Sequence, residues 1–222
     1  MSEKPRSRVV NEARSRDLPP SKSALTRSAI LDAGTEFLES NPFRELTVAK
    51  LMAATKHSRS TFYFYFNDLH GLMETLLEEV KGGIVDGANE WLRKEGDPVS
   101  GLQNSIKAVV DVGYEHGIIL KAVADAAPSD ARLEHVWQNF LASFDELVAD
   151  RITFDQAAGV TPEFDPLPVA RALNRMDAGM LIHAFGSGAK ADKGIVFAAM
   201  TRVWISTLYP FDAKAAIGRA IP

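Results

Sequence analysis

Apolar residues recur along this chain at helical spacing, and no segment shows the sustained alternation of a half-buried strand. Ile30, Leu31, Phe37 and Leu38, with Ala29 and Ala33 between them, predict a helix from Ala24 that Asn41-Pro42 ends. Thr47 is a good N-cap for a second helix over 48–55, with Leu46 and Leu51 placed as its hydrophobic staple. Leu72, Leu76, Leu77, Val80 and Ile84 predict one long helix from Asp68 to about Lys94, stopped by the Glu95–Pro98 segment. Leu102, Ile106, Val109, Val110 and Tyr114 mark another. Gly117 is expected to break it, leaving a short helix over 118–127. Ser129-Asp130 opens a long helix carrying Leu133, Trp137, Phe140, Leu141, Phe144, Leu147 and Val148. After the proline-rich loop 159–168, two more helices are expected, about Leu167 to Phe185 and about Asp192 to Tyr209. The expected fold is all-α, with about nine helices and no internal repeat.

One stretch resists this pattern. Phe62-Tyr63-Phe64-Tyr65-Phe66 sets five aromatics in a row, a composition that favours strands. A strand would need a partner, and the chain offers none. With Ser58 as N-cap, a helix from Arg59 places Phe62, Tyr65 and Phe66 on one face at about 100° per residue. Two short helices joined by a tight turn around Lys56-His57 make a helix-turn-helix, whose second helix fits a major groove. Phe62 and Phe66 would pack against Ile30, Phe37 and Leu51. Thr61 and Tyr63 would offer hydroxyls to phosphates, and Arg59, Ser60 and Phe64 would face bases or sugars. A plain helical hairpin with its tyrosines in a core is the alternative.

Charge sharpens this picture. The net charge is −4, yet residues 1–65 hold 11 Lys/Arg against 7 Asp/Glu, leaving 14 basic and 22 acidic side chains for the rest. A basic front suits phosphate, and an acidic body does not; a merely solvated basic tail explains the charge equally well. Residues 1–23, rich in Arg, Ser and Pro, read as a flexible basic arm. They hold no apolar core and so are not a secretory signal. No apolar run approaches the ~18 residues of a membrane span, and a cytoplasmic location is expected. The absence of cysteine excludes disulfides and thiolate metal sites. The five histidines fall on separate segments, and neither a glycine-rich phosphate loop nor a nucleophile elbow is present. We expect no enzyme, no metal and no cofactor.

The stretch from Leu46 to Leu72, "LTVAKLMAATKHSRSTFYFYFNDLHGL", resembles the DNA-binding segment of TetR-family transcriptional regulators, with Thr47, Ser58, Thr61, Phe62, Tyr63 and Phe66 at the matching positions. The resemblance runs to about Pro210, where "VWQNFLASF", "ALNRMDAGMLIHAFGS" and "VFAAMTRVWISTLYP" are similar to ligand-domain helices of mycobacterial EthR-type repressors. It implies a helix-turn-helix domain over 24–67 and a ligand-binding, dimerising domain over 68–222. It also implies double-stranded operator DNA, a small apolar or amphipathic effector and a second copy of the chain as partners. The DNA-binding candidates are then Thr47, Lys56, Ser58, Arg59, Ser60, Thr61, Tyr63 and Phe64. Two positions depart from the family: Lys56 stands where the turn usually has Gly, and Leu69 where the next helix usually has Lys. A positive φ at Lys56 would cost about 1 kcal/mol.

In the body, Trp137, Phe140 and Phe144 share a helical face, and Asn174 and Asp177 interrupt an apolar helix at i, i+3. A few polar groups among aromatic walls are what orients a small molecule. The resemblance places two asparagines at that pair, so Asp177 favours a ligand with a donor or positive group. The ligand-binding candidates are Leu102, Val109, Gly113, Trp137, Phe140, Phe144, Asn174, Asp177 and Trp204; Leu102, Val109 and Gly113, standing where the resemblance implies bulky aromatics, are expected to widen the cavity. The expected function is a ligand-responsive regulator, a repressor released by its effector. A helical ligand-binding or adaptor protein without specific DNA binding is the alternative.

Overall fold

The computed structural model describes residues 21–210, all helix and loop. Nine α-helices are present among them: α1 (Lys22–Ser40), α2 (Val48–Ala54), α3 (Arg59–Tyr65), α4 (Leu69–Gly87), α5 (Asn89–Leu92), α6 (Pro98–Ala126), α7 (Ala131–Ala157), α8 (Pro166–Phe185) and α9 (Lys193–Leu208). The all-α expectation holds. Of the expected arm, residues 1–20 lie outside the described residues, while Lys22 and Ser23 already belong to α1, which Ser21 caps.

Local chemistry starts most of these helices. Thr47, Ser58, Asp68, Asp97, Asp130, Asp165 and Asp192 each accept a hydrogen bond from a backbone N–H in the first turn of the helix that follows. Small helices α1 to α3 enclose Ile30, Leu31, Leu38, Leu51 and Met52, and α3 adds Phe62 and the flanking Phe66 to that core. The longer α6, α7 and α8 pack on one another, with α4 and α9 against α6.

Two helices differ from expectation. The helix after Asp68 ends at Gly87, where Ala88 hands over to the four-residue α5 carrying Trp91. In contrast, α6 runs unbroken for 29 residues through Gly113 and Gly117. Gly117 serves a close approach there. A Cβ on it would lie 2.8 Å from the backbone carbon and oxygen of Phe185. The turn between α2 and α3 is also unstrained at Lys56: the non-glycine residue with positive φ among the described residues is Lys94.

Candidate functional site

Two regions gather the candidate residues. In the first, Phe62 and Phe66 are buried at 0% and 5%, anchoring one face of α3. Tyr65 reaches the other way along that face, its Oη 3.0 Å from Ser23 Oγ of α1. The opposite face is bare: Tyr63 is 59% and Phe64 78% exposed, with Lys56, Ser58, Arg59 and Ser60 also exposed. Exposing two large aromatics on one seven-residue helix forgoes burial worth about 1.5–3 kcal/mol each. At the helix start, Ser58 Oγ lies 2.7 Å from Ser60 Oγ and 3.0 Å from Thr61 Oγ1, and accepts from Thr61 N at 3.3 Å. Thr47 Oγ1 accepts from Lys50 N at 3.1 Å. These hydroxyls and the free backbone N–H groups of a helix N-terminus suit an anion.

Other cations nearby are engaged. Lys50 Nζ donates to the Glu45 carbonyl at 2.9 Å, and Arg27 pairs with Glu79 at 3.2 Å while lying over the Phe66 ring. Leu69 is half-buried against the core, so its place is apolar packing.

The second region lies inside the body, where two adjoining cavities each have about 60 Å³ of interior space. Ile84, Val109, Phe144, Asn174 and Asp177 border both. Leu102 and Trp204 line the first, and Phe140 the second. Trp137 and Gly113 line neither. Trp137 instead stacks on Phe140, with centroids 5.5 Å apart and an interplanar angle of 14°. Gly113 does not widen the space, because Leu181 fills it: a Cβ on Gly113 would fall 2.5 Å from Leu181 Cδ2.

The polar groups of this region are specific. Trp204 Nε1 donates to both oxygens of Asp177, at 3.0 and 3.1 Å. Burial pushes the Asp177 carboxyl up to about 7, against the lowering effect of that hydrogen bond. Asn174 Nδ2 donates to Asp145 Oδ1 at 2.9 Å, and Arg175 holds the same buried carboxylate with two bonds of 2.9 and 3.0 Å. Trp91, edge-on to Trp204, donates to Tyr209 Oη at 3.0 Å. Tyr209 donates in turn to Asp155, which also accepts from Arg151 at 2.8 Å. Burial and the Asp155 carboxylate both raise the Tyr209 phenol, so it stays protonated and donates.

Ile84, Trp91, Ser105 and Asp145 were not among the sequence candidates. Trp91 carried a signal, an isolated tryptophan beside an expected helix end. Asp145 carried none, since a carboxylate in a mixed helical segment reads as surface.

The two regions are bridged. At the start of α4, Asp68 accepts from Arg132 at 2.6 Å, Glu74 lies 3.3 Å from the same guanidinium, and His70 Nε2 is 2.8 Å from Asp130 Oδ2. The Gly71 backbone N–H, then Arg132, hold the Asp68 carboxyl below its ordinary range, and His70 does the same for Asp130. Helix α1 and the 3-10 helix Phe43–Glu45 also pack on α6. Among the described residues no His/Cys/Asp/Glu cluster suits a metal, and no helix is long and apolar enough to cross a membrane.

A short helix-turn-helix joined to a larger helical body is an arrangement shared with known proteins. Residues 102–210 match the family model described as the C-terminal domain of the transcriptional regulator EthR. That likeness bears on the body alone. Among solved structures, a TetR-family transcriptional regulator from Syntrophomonas wolfei superposes with a TM-score of 0.73 at 17% identity, covering 82% of this chain and 94% of that one. The fatty acid degradation regulator FadR from Bacillus halodurans gives 0.70 at 16% identity, covering 84% and 96%. At such identities these likenesses establish the fold. A curated relative, the HTH-type dhaKLM operon transcriptional activator DhaS of Lactococcus lactis, is 24% identical over 135 residues. The match spans 61% of this chain and 64% of that relative. Together the matches show a likeness in fold to TetR-family transcriptional regulators and, over residues 102–210, to the EthR C-terminal domain.

Proposed function

We propose that this chain is a ligand-responsive transcriptional regulator that binds operator DNA as a homodimer and releases it when a small, largely apolar molecule enters the body. The observation that carries this reading is the exposed face of α3, where Tyr63 and Phe64 project from a helix pinned by buried Phe62 and Phe66. In a major groove, Tyr63, Thr61, Ser58 and Thr47 would meet phosphates while Arg59, Ser60 and Phe64 meet base edges and sugars. Lys56, exposed in the turn, adds a phosphate contact.

Residues 24–67 would act as the reading head and the remainder as sensor and dimer interface. The apolar side chains left open on α9, Ile195 (71% exposed) and Val203 (38%), suit a second copy, as does the open space around Gly179 on α8. Signal would pass along α4. This helix of 19 residues, roughly 28 Å long, begins at the Arg132 clamp and places Ile84 on both cavities. A ligand that swells the cavities moves Ile84, tilts α4 and changes the spacing of the two recognition helices. Neighbouring α1 contacts on α6 would set how far the head turns.

A gel shift on DNA flanking the protein's own gene tests the reading. Retardation of that fragment at protein concentrations that leave unrelated DNA free is expected. Equal retardation of both would leave a helical ligand-binding protein without specific DNA binding.

A further inference from the structure

Asp177 stands alone in an apolar chamber. It is 7% exposed and, among the described residues, is the one ionisable group bordering either cavity. A single indole N–H, from Trp204, is shared between its two oxygens. An ionised carboxylate offers about four lone-pair positions, so most of its accepting capacity is unanswered. Ser105 donates its hydroxyl to the Gly101 carbonyl at 2.9 Å, and Asn174 donates to Asp145.

The charged groups beyond the walls are paired among themselves. Asp145 is held by Arg175 and approached by Arg171 on one side, and Asp155 by Arg151 and Tyr209 on the other. The lining residues contributed by α4, α5, α6, α7 and α9 are uncharged. A lone acid in such walls is costly as an anion unless a cation joins it.

We infer that the effector site selects a cationic amphiphile, with a protonated amine against the Asp177 carboxylate and an apolar tail along Ile84, Val109 and Phe144. The inference rests on the reading of this cavity as the effector site. An ammonium group brings three donors to the unanswered lone pairs and cancels the charge in one contact. A carboxylate ligand is repelled by the same residue, and a neutral alcohol leaves the charge uncompensated.

A matched series of hexylamine, hexanol and hexanoate isolates the charge, read by calorimetry and by quenching of indole fluorescence at about pH 8. Hexylamine should bind wild type about tenfold more tightly than hexanol, as expected for one charge-assisted contact. Asp177→Asn keeps the shape and an acceptor for Trp204, and should abolish that tenfold preference of hexylamine over hexanol. A pH series on wild type asks the same question without a variant. Because Asp177 ionises at about 7 and an alkylamine stays protonated throughout, hexylamine affinity should fall severalfold from about pH 8 to about pH 5. Hexanol affinity should not.

If hexanol binds and hexylamine binds no better, or if its affinity ignores both Asp177→Asn and pH, the amine proposal is overturned and the effector cavity stands. If neither hexanol nor hexylamine binds, the cavity reading falls with it.

Discussion

At the scale of the residue, side chains on one helix divide sharply between scaffold and reader. Phe62 and Phe66 hold α3 in place, and their neighbours Tyr63 and Phe64 are left in solvent. Tyr63→Phe removes the hydroxyl that the proposed docking gives to a phosphate, so it should weaken binding to every DNA sequence by a similar factor. Arg59→Ala should weaken binding and also relax discrimination between bases. Anisotropy titrations on native and single-base-changed operators separate the two outcomes; an unchanged affinity for Tyr63→Phe would mean that α3 is docked differently. Asp177 makes a second prediction at this scale. Its carboxyl titrates higher folded than unfolded, so the folded state keeps its proton between about pH 4 and about pH 7. Stability therefore falls as pH rises through that window and stays lowered above it. Asp177→Asn should raise the urea midpoint more at pH 8 than at pH 5, and an equal gain at both would exclude the titration. The sequence exposed Asp177 as an oddity among apolar neighbours. It could not reveal that Trp204, 27 positions away, would be its partner.

Elements were legible where their boundaries depend on neighbours in the chain. Thr47, Ser58, Asp130 and Asp192 start helices in the structure because a short oxygen-bearing side chain captures a first-turn N–H. Glycines were misread because their role depends on what lies across the interface. Gly117 looked like a breaker and is a contact point, as Gly113 is for Leu181. Gly117→Ala should destabilise the protein by about 1–3 kcal/mol through overpacking against the Phe185 backbone, measurable by urea denaturation. A loss much below that would mean α6 and α8 can part without cost. The clamp at the start of α4 has a different character. Its ion pairs are substantially exposed, so Arg132→Met should change global stability by less than about 1 kcal/mol. It should nonetheless reduce the effect of ligand on DNA affinity, since α4 loses a fixed pivot.

The whole molecule joins a basic front to an acidic body, a division the charges along the chain already disclosed. The proposed dimer would set two such fronts on a two-fold axis and so call for a roughly palindromic operator, with half-sites a helical turn or a multiple of it apart. Light scattering at micromolar concentration should give a dimeric mass, and operator affinity should fall steeply and linearly on a log–log plot against salt. Most of the candidates read from the sequence line the cavities, but Trp137 and Gly113 line neither. The shape of the space was not legible, because Leu181 and the Trp91 network are brought in from separate segments.

The central claim is that filling this cavity changes how the two heads sit on DNA. Val109 borders both cavities, so Val109→Phe should act as a built-in occupant. The measurement is operator affinity of Val109→Phe against wild type, with dimeric mass checked on the same sample. A coupling of about 1–3 kcal/mol predicts a loss of roughly 5- to 150-fold with the dimer intact. A folded, dimeric Val109→Phe that holds the operator as tightly as wild type would contradict the account.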